Sequence, residues 1–423
     1  MDVQQRTVLV GYDFCNDRTQ IYCYNEYKGE PEPVGINYQP DKEWIPTALA
    51  LKAGGEWIFG DTALDYAKED EDAVLCRFLK DMSEEKLKLP AKMEGVTYKE
   101  ILSHFIRKTL SLIKMLHPNE RIRAMVLTGD CLTPCMAELL YEVFEGLGIY
   151  KDRLRIRSHQ QCYLYYVMNQ PKEIWNNETG LFDFSIDGLK YFESSIEHHQ
   201  FPLTAKVTAQ DLSGRMSYDM FMKKEPGVNY LFENLSGTIL HKKILSALYV
   251  TGIEFEDEWI VPVLEKIQSN RRIRIFLGPG IYARGACYGA YSTFPEGKYA
   301  DSIFLSSDSV RYSLSIKGYK NAGKAEYFFC KSGMPWYDIK ENIEILLDGK
   351  KKIEFNVYDS NSKNVGCFQL NLTDIPKRPP RMTRLEIRLF FEGENTLILQ
   401  AKDRGFGSIY PSSNRIWEET VKI

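Results

Sequence analysis

The sequence predicts an α/β protein made of two like halves, followed by an all-β domain. Three observations carry this. Short apolar, β-branched runs alternate with helical periodicity through the first three hundred or so residues. An Asp-bearing hairpin, Tyr12-Asp13-Phe14-Cys15-Asn16-Asp17, recurs as Phe182-Asp183-Phe184-Ser185-Ile186-Asp187. From residue 301 the chain changes to short strand-like runs separated by turn residues. The expected domains are residues 1–170, 171–300 and 301–423.

In the first half, Thr7–Asp13 and Thr19–Tyr24 read as strands, and Val34–Tyr38 as a third after a proline-rich turn. Trp44–Lys52 and Glu56–Phe59 read as a hairpin about Gly54-Gly55. Asp61 is placed to cap a helix through Tyr66. Residues 67–90 are charge-dense and show little period. Apolar residues at 98, 101, 102, 105, 106, 110 and 113 predict a long amphipathic helix. A strand Ala124–Leu127 leads to Thr128-Gly129-Asp130, and a helix over 136–146 stops at Gly146 and Gly148.

The second half reads similarly. Strands are expected at Leu181–Ile186, Lys190–Ile196 and Thr204–Ala209. A helix over 229–246 precedes a strand Ala247–Thr251. Another helix over 258–268 precedes a strand Arg274–Leu277. Gly278-Pro279-Gly280 then breaks the chain before a small-residue helix. Beyond residue 301, strands are expected at 303–306, 310–316, 324–330, 343–347, 352–358, 366–372, 384–391 and 396–402, with a proline-rich loop at Asp374–Arg381.

Composition narrows the function. The 423 residues are 44% hydrophobic and 26% charged, which argues against disorder and a small disulfide scaffold. A formal net charge of −4 gives no basic field for nucleic acid. No apolar run approaches a membrane span. The start, Met1 to Arg6, is too polar for a signal peptide, so a cytoplasmic protein is expected. The nine cysteines are scattered, with no C-x-x-C pair. Cys131 and Cys135 lie closest, but nothing completes a zinc set with them, and no structural metal is expected. His198 and His199 are adjacent and would face opposite sides of a strand.

Two like halves, each opening on a hairpin with Asp at its turn, resemble the actin-like ATPase superfamily. The likeness is nearest to the DnaK-type heat-shock chaperones, of which this chain would be a divergent branch. Val126-Leu127-Thr128-Gly129 with strand 153–157 looks like the link between halves, and Tyr163–Val167 like the end of the connecting helix. Tyr249-Val250-Thr251-Gly252 stands where the family has its adenosine loop. Ala283-Arg284-Gly285-Ala286-Cys287-Tyr288-Gly289-Ala290 looks like the family's small-residue helix. Gly366–Leu370, Asp374-Ile375-Pro376, Leu385-Glu386-Ile387 and Thr396–Asp403 follow the order of its β-sandwich peptide-binding domain. The resemblance implies duplicated actin-like (ribonuclease H-like) halves, the second with a trimmed outer lobe. It also implies ATP or ADP with Mg²⁺ between them, near Asp13, Asn16, Asp183, Asp187, Gly188 and Gly252, and a protein or peptide partner. Turn capping is the alternative role for the aspartates.

The chain departs from that family where chemistry is concerned. Its first hairpin turn has no glycine, and Ser185 and Ile186 stand where the second should have them. No acidic residue lies between Ile156 and Tyr166; Ser158, His159, Gln160 and Gln161 occupy that stretch. Arg77 and Lys80 are loose candidates for the catalytic lysine. Efficient ATP hydrolysis is therefore not expected. The leading expectation is a chaperone-like, non-catalytic protein- or peptide-binding module. The alternatives are a weak ATP-dependent chaperone and, third, a small-metabolite kinase using Asp130.

Overall fold

A computed structural model describes residues 6–35, 42–197, 201–222, 227–252, 260–321, 323–393 and 395–423. It contains both helices and sheets, an α/β architecture, and divides into two compact units. One comprises Met1–Ile196 with Lys206–Asp301; the other comprises Glu197–Ala205 with Ser302–Ile423. His198, His199 and residues 36–41 and 253–259 lie outside the described residues.

The first unit begins with β1 (Thr7–Phe14), β2 (Arg18–Asn25), β3 (Glu30–Pro33) and β4 (Ile45–Pro46). A small sheet follows from β5 (Ala48–Leu51), β6 (Trp57–Phe59) and, after α1 (Asp61–Tyr66), β7 (Val74–Cys76). Then come α2 (Phe78–Ser83), α3 (Tyr98–Leu116), β8 (Arg121–Thr128), α4 (Pro134–Gly146), β9 (Leu154–Ile156) and α5 (His159–Met168). The unit continues with β10 (Glu178–Ser185), β11 (Gly188–Glu197), β12 (Thr204–Asp211), α6 (Tyr218–Met222), α7 (Val228–Ile239), β13 (Leu245–Thr251), α8 (Val261–Arg271), β14 (Arg274–Leu277) and α9 (Ile281–Ser292).

Two sheets form with one plan. Over five of its six strands the first runs β3-β2-β1-β8-β9, and over five of its six the second runs β12-β11-β10-β13-β14. In each, the opening strand is antiparallel to its hairpin partner and parallel to the strand that returns after a helix. β1 is buried along almost its whole length, as a central strand covered on both faces must be. The correspondence between the two sheets extends to single residues. Asp13 lies opposite Thr128, and Asp183 lies opposite Thr251. Each threonine is followed by a glycine whose Cα abuts the hairpin backbone. A Cβ on Gly129 would stand 2.3 Å from the Phe14 carbonyl oxygen, and one on Gly252 1.9 Å from that of Phe184.

Helix α9 is tightly held between elements of this unit. A Cβ on Gly11 of β1 would meet the Ala283 carbonyl oxygen at 2.2 Å, and one on Gly285 would meet that of Cys162 on α5 at 2.0 Å. The small-residue sequence of α9 is what permits these approaches. Helix α3 opens with a capping box between Thr97 and Glu100 and buries the expected apolar face, including Ile101, Phe105 and Ile113.

The second unit contains β15 (Ile303–Leu305), β16 (Ser313–Lys320), β17 (Gly323–Cys330), β18 (Lys340–Leu347), β19 (Lys352–Tyr358), β20 (Asn364–Asn371), β21 (Thr383–Gly393), β22 (Thr396–Gly405) and β23 (Ile416–Lys422). β16–β23 make two four-stranded sheets, β17-β16-β19-β20 and β18-β21-β22-β23. One core joins them: Leu314, Phe355 and Leu370 from the first sheet, Ile387, Leu399 and Trp417 from the second. At its edge Arg378 grips Asp403 with two parallel hydrogen bonds of 2.7 Å, and both side chains are almost wholly buried.

Several elements differ from expectation. The third strand is Glu30–Pro33, not Val34–Tyr38. Its two prolines suit an edge position, and residues 36–38 lie outside the described residues. Thr47 splits the expected strand Trp44–Lys52, because its amide and hydroxyl donate to the carbonyls of Asp17 and Cys15. Asp61 does not cap α1; Gly60 occupies that position, and Asp61 pairs with Lys42 at 2.6 Å. Residues 67–90 hold β7 and α2. Helix α7 ends at Ile239, and the chain turns through Lys242 at a positive φ of 60° before β13. β23 is an additional strand beyond those expected.

Candidate functional site

The two Asp-bearing hairpins and the N-termini of α5 and α9 build one buried polar cluster. β1 delivers Asp13 at its end, and a turn closed by the Cys15 amide on the Arg18 carbonyl (3.0 Å) sets Cys15 beside it. Ser158 caps α5, its hydroxyl accepting from the Gln161 amide, which makes His159 the first helical residue. His159 Nε2 lies 2.8 Å from Asp13 Oδ1. The Cys15 thiol donates to the same oxygen at 3.1 Å, and its Sγ is 3.6 Å from His159 Nε2.

The electrostatics follow from burial and pairing. Burial alone would raise Asp13, but His159 and the Cys15 thiol outweigh it, so the carboxyl sits below its ordinary value. Burial would lower His159; the Asp13 carboxylate overcomes this and raises it. Burial, then Asp13, pushes the Cys15 thiol well up, so it is a protonated thiol and not a reactive thiolate. The Cys15–His159–Asp13 set is also not a nucleophile relay, because Cys15 and Asp13 meet the imidazole at one and the same nitrogen.

The second hairpin is closed in a parallel way. Tyr282, on the first turn of α9, donates to Asp183 Oδ2 at 2.8 Å. Burial raises Asp183 and, more strongly, the Tyr282 hydroxyl. The His159 and Tyr282 rings stack at 3.9 Å with 4° between their planes. A continuous chain of contacts thus runs Asp13–His159–Tyr282–Asp183 and joins the two hairpins.

The remaining sequence-derived positions fall around this chain. The Asn16 amide donates to both carboxylate oxygens of Asp130 at 3.1 Å, and its side-chain oxygen accepts from the Lys80 amide. Asp130, raised by its burial, is therefore engaged by the turn backbone. Asp187 lies in the second turn, 3.3 Å from Lys80 Nζ and 3.8 Å from Lys190. Gly188 closes that turn opposite Ser185 at a φ of 93°. Gly252 packs against the Phe184 carbonyl at a φ of 125°. Arg77 stands at the start of α2 with its amide bound to the Thr47 carbonyl. Asp13, Asn16, Asp183 and Asp187 are thus brought to one region. Cys15, His159 and Tyr282 belong to the cluster but are positions that sequence reading passes over; only the place of His159 in the stretch that lacks an acidic residue drew notice to one of them.

Among the described residues no helix is long and apolar enough to cross a membrane. No curated protein matches the chain. A model described as a domain of unknown function (DUF8552) matches residues 309–423, which include β16–β23. A model described as the C-terminal part of a family of unknown function (DUF5716) matches residues 30–307; His159, Asp183 and Tyr282 fall inside the match, and Asp13 and Cys15 precede it. That match spans well over half of the sequence, and the chain belongs to this DUF5716 C-terminal family.

Proposed function

We propose that the protein is a chaperone-like, non-hydrolysing binding module. In this reading two duplicated actin-like halves carry a nucleotide site closed by the chain's own side chains. A β-sandwich similar to a chaperone peptide-binding domain holds a protein or peptide segment. The observation that carries the reading is the His159–Tyr282 stack between Asp13 and Asp183. The common strand order of the two sheets and the paired Thr-Gly steps support the duplication.

In an actin-like site the two hairpin carboxylates face magnesium and phosphates, and glycine-rich turns bring backbone amides to the phosphate oxygens. Here both carboxylates already accept hydrogen bonds from aromatic side chains. The first turn offers its Asn16 amide to Asp130 and buries Cys15. These residues do not fit a magnesium triphosphate, and no step is derived through one. Asp130, the candidate base of a kinase reading, accepts the Asn16 amide of the first turn at both oxygens.

Differential scanning fluorimetry with Mg-ATP and Mg-ADP tests the closed site. No shift in melting temperature is expected, because a ligand that does not bind the native state cannot stabilise it. Unfolded-protein and peptide-library binding tests the second part: saturable binding with equal affinity with and without nucleotide is expected. Nucleotide stabilisation with a change in peptide affinity would replace this reading by an ATP-dependent chaperone.

A further inference from the structure

We propose that Asp13, Cys15 and His159 form a binding site for a divalent cation of the zinc class. The three donor atoms come from β1, the β1–β2 turn and the start of α5, and all lie within 4.8 Å of one another. Asp13 and Cys15 are neighbours in sequence, and the fold brings His159 to them from over a third of the chain away.

The geometry is close to what a tetrahedral ion needs. Bond lengths of roughly 2.3 Å to sulfur and 2.0–2.2 Å to nitrogen and oxygen place tetrahedral donors about 3.4–3.6 Å apart. Cys15 Sγ and His159 Nε2 already stand 3.6 Å apart. Asp13 Oδ1, at 3.1 Å from the sulfur and 2.8 Å from the nitrogen, must swing outward by about half an ångström to complete the set. The Asp13 backbone need not move, since its carboxylate lies at the end of a free χ2 rotation.

The donor set selects the metal. Magnesium and calcium take oxygen ligands, whereas a mixed thiolate, imidazole and carboxylate set suits zinc, cobalt or ferrous iron. Three protein ligands leave a fourth position for water. A second observation supports an occupant here. Thr128, in register with Asp13 on the neighbouring parallel strand and on the same face of the sheet, is fully buried, and its hydroxyl has no hydrogen-bond partner among the described residues. A metal-bound water would give it one.

A metal takes cysteine as its thiolate, so binding releases the Cys15 thiol proton to solvent, and the dication is met by that thiolate and the Asp13 carboxylate. Affinity must then fall as pH is lowered, with proton release as the signature. The site does not depend on the chaperone-like reading; it uses only the geometry of the first hairpin against the start of α5.

The test uses the full chain, freed of metal with a chelator and titrated with Co²⁺ in the absence of nucleotide. One cobalt per chain is expected, with a thiolate-to-cobalt charge-transfer band and the intense visible bands of a tetrahedral site. Zn²⁺ should abolish the spectrum stoichiometrically, and excess Mg²⁺ should leave it. Cys15→Ser should remove the charge-transfer band, while Cys76→Ser, at an exposed cysteine, should keep it. Where Cys15→Ser fails to fold, the unaltered protein decides: release of the thiol proton on zinc binding supports the site. Absence of the band, a band unchanged in folded Cys15→Ser, or zinc uptake without proton release would each overturn it. Stabilisation by Mg-ATP in the parallel fluorimetry would reject the closed nucleotide site and leave the cobalt result standing on its own.

Discussion

At the scale of single residues, two buried contacts make sharp predictions. Tyr282→Phe removes the donor to Asp183 while keeping the ring that stacks on His159. A hydrogen bond to a charged group contributes about 1.5–3 kcal/mol, and urea denaturation should show a loss of that size. In the second unit, Asp403 is expected to govern acid stability. Burial would raise its carboxyl, but Arg378 and the Ser413 donors outweigh this and hold it far below the ordinary range. A depressed folded value means that the contribution is complete above the unfolded value, about 3.9, and is withdrawn as pH falls through the folded one. Urea midpoints should therefore fall from pH 5 toward pH 2 in the natural protein. Asp403→Asn should flatten that dependence and cost about 3–5 kcal/mol at neutral pH, because it leaves Arg378 buried without a countercharge. The positions of Asp13 and Asp183 were legible from the recurrence of their hairpins. Their partners were not: His159 and Tyr282 sit in helices whose sequence carries no sign of which loop they will meet.

At the scale of elements, glycine shows how context reverses an intrinsic preference. In an open helix, glycine to alanine gains up to about 1 kcal/mol. Gly237 in α7 has nothing within 4 Å of an added Cβ, so Gly237→Ala should raise the melting temperature. Gly285 in α9 faces the Cys162 backbone at 2.0 Å, and backbone cannot rotate away as a side chain can. Gly285→Ala should destabilise by about 1–3 kcal/mol, as overpacking does. Calorimetry on the pair should give opposite signs. Elements with a clean period were legible: α3 through its apolar face, and β14 at the expected Arg274–Leu277. Those that escape are short or lie amid charge. β7 and α2 place only a few apolar residues, Leu75, Phe78, Leu79 and Met82, in the core, too few to show a repeat. β23 escapes because Ile416–Lys422 buries only Trp417 fully, and its exposed positions, Ile416, Glu418, Thr420 and Lys422, are of mixed character.

At the scale of the whole molecule, the two compact units have separate cores and separate vulnerabilities. Scanning calorimetry should resolve two transitions. Gly285→Ala should lower one and Asp403→Asn the other, and a common shift in both would show a single cooperative unit. Two sheets of the first unit share one strand order, a likeness that in sequence rested on one short motif. The second repeat, Thr128-Gly129 with Thr251-Gly252, was hidden because the intervening segments differ in length and the two steps were assigned different places in the expected fold. Only the ladder registers align them.

The assignment of Glu197–Ala205 to the second unit bears on how the chain is made. These residues leave the ribosome well before Ser302–Ile423, with which they group, and Ile303 donates its amide to the Leu203 carbonyl at 2.9 Å. At translation speeds of about 5–20 residues per second, that segment waits several seconds for its partner. Cutting the chain at residue 301 would thus keep the first unit's residues together and leave the second unit incomplete. A fragment that begins at Ser302 lacks a piece of its own structure, and supplying Glu197–Ala205 as a separate peptide, or grafting it onto the fragment's start, should restore what the cut removes.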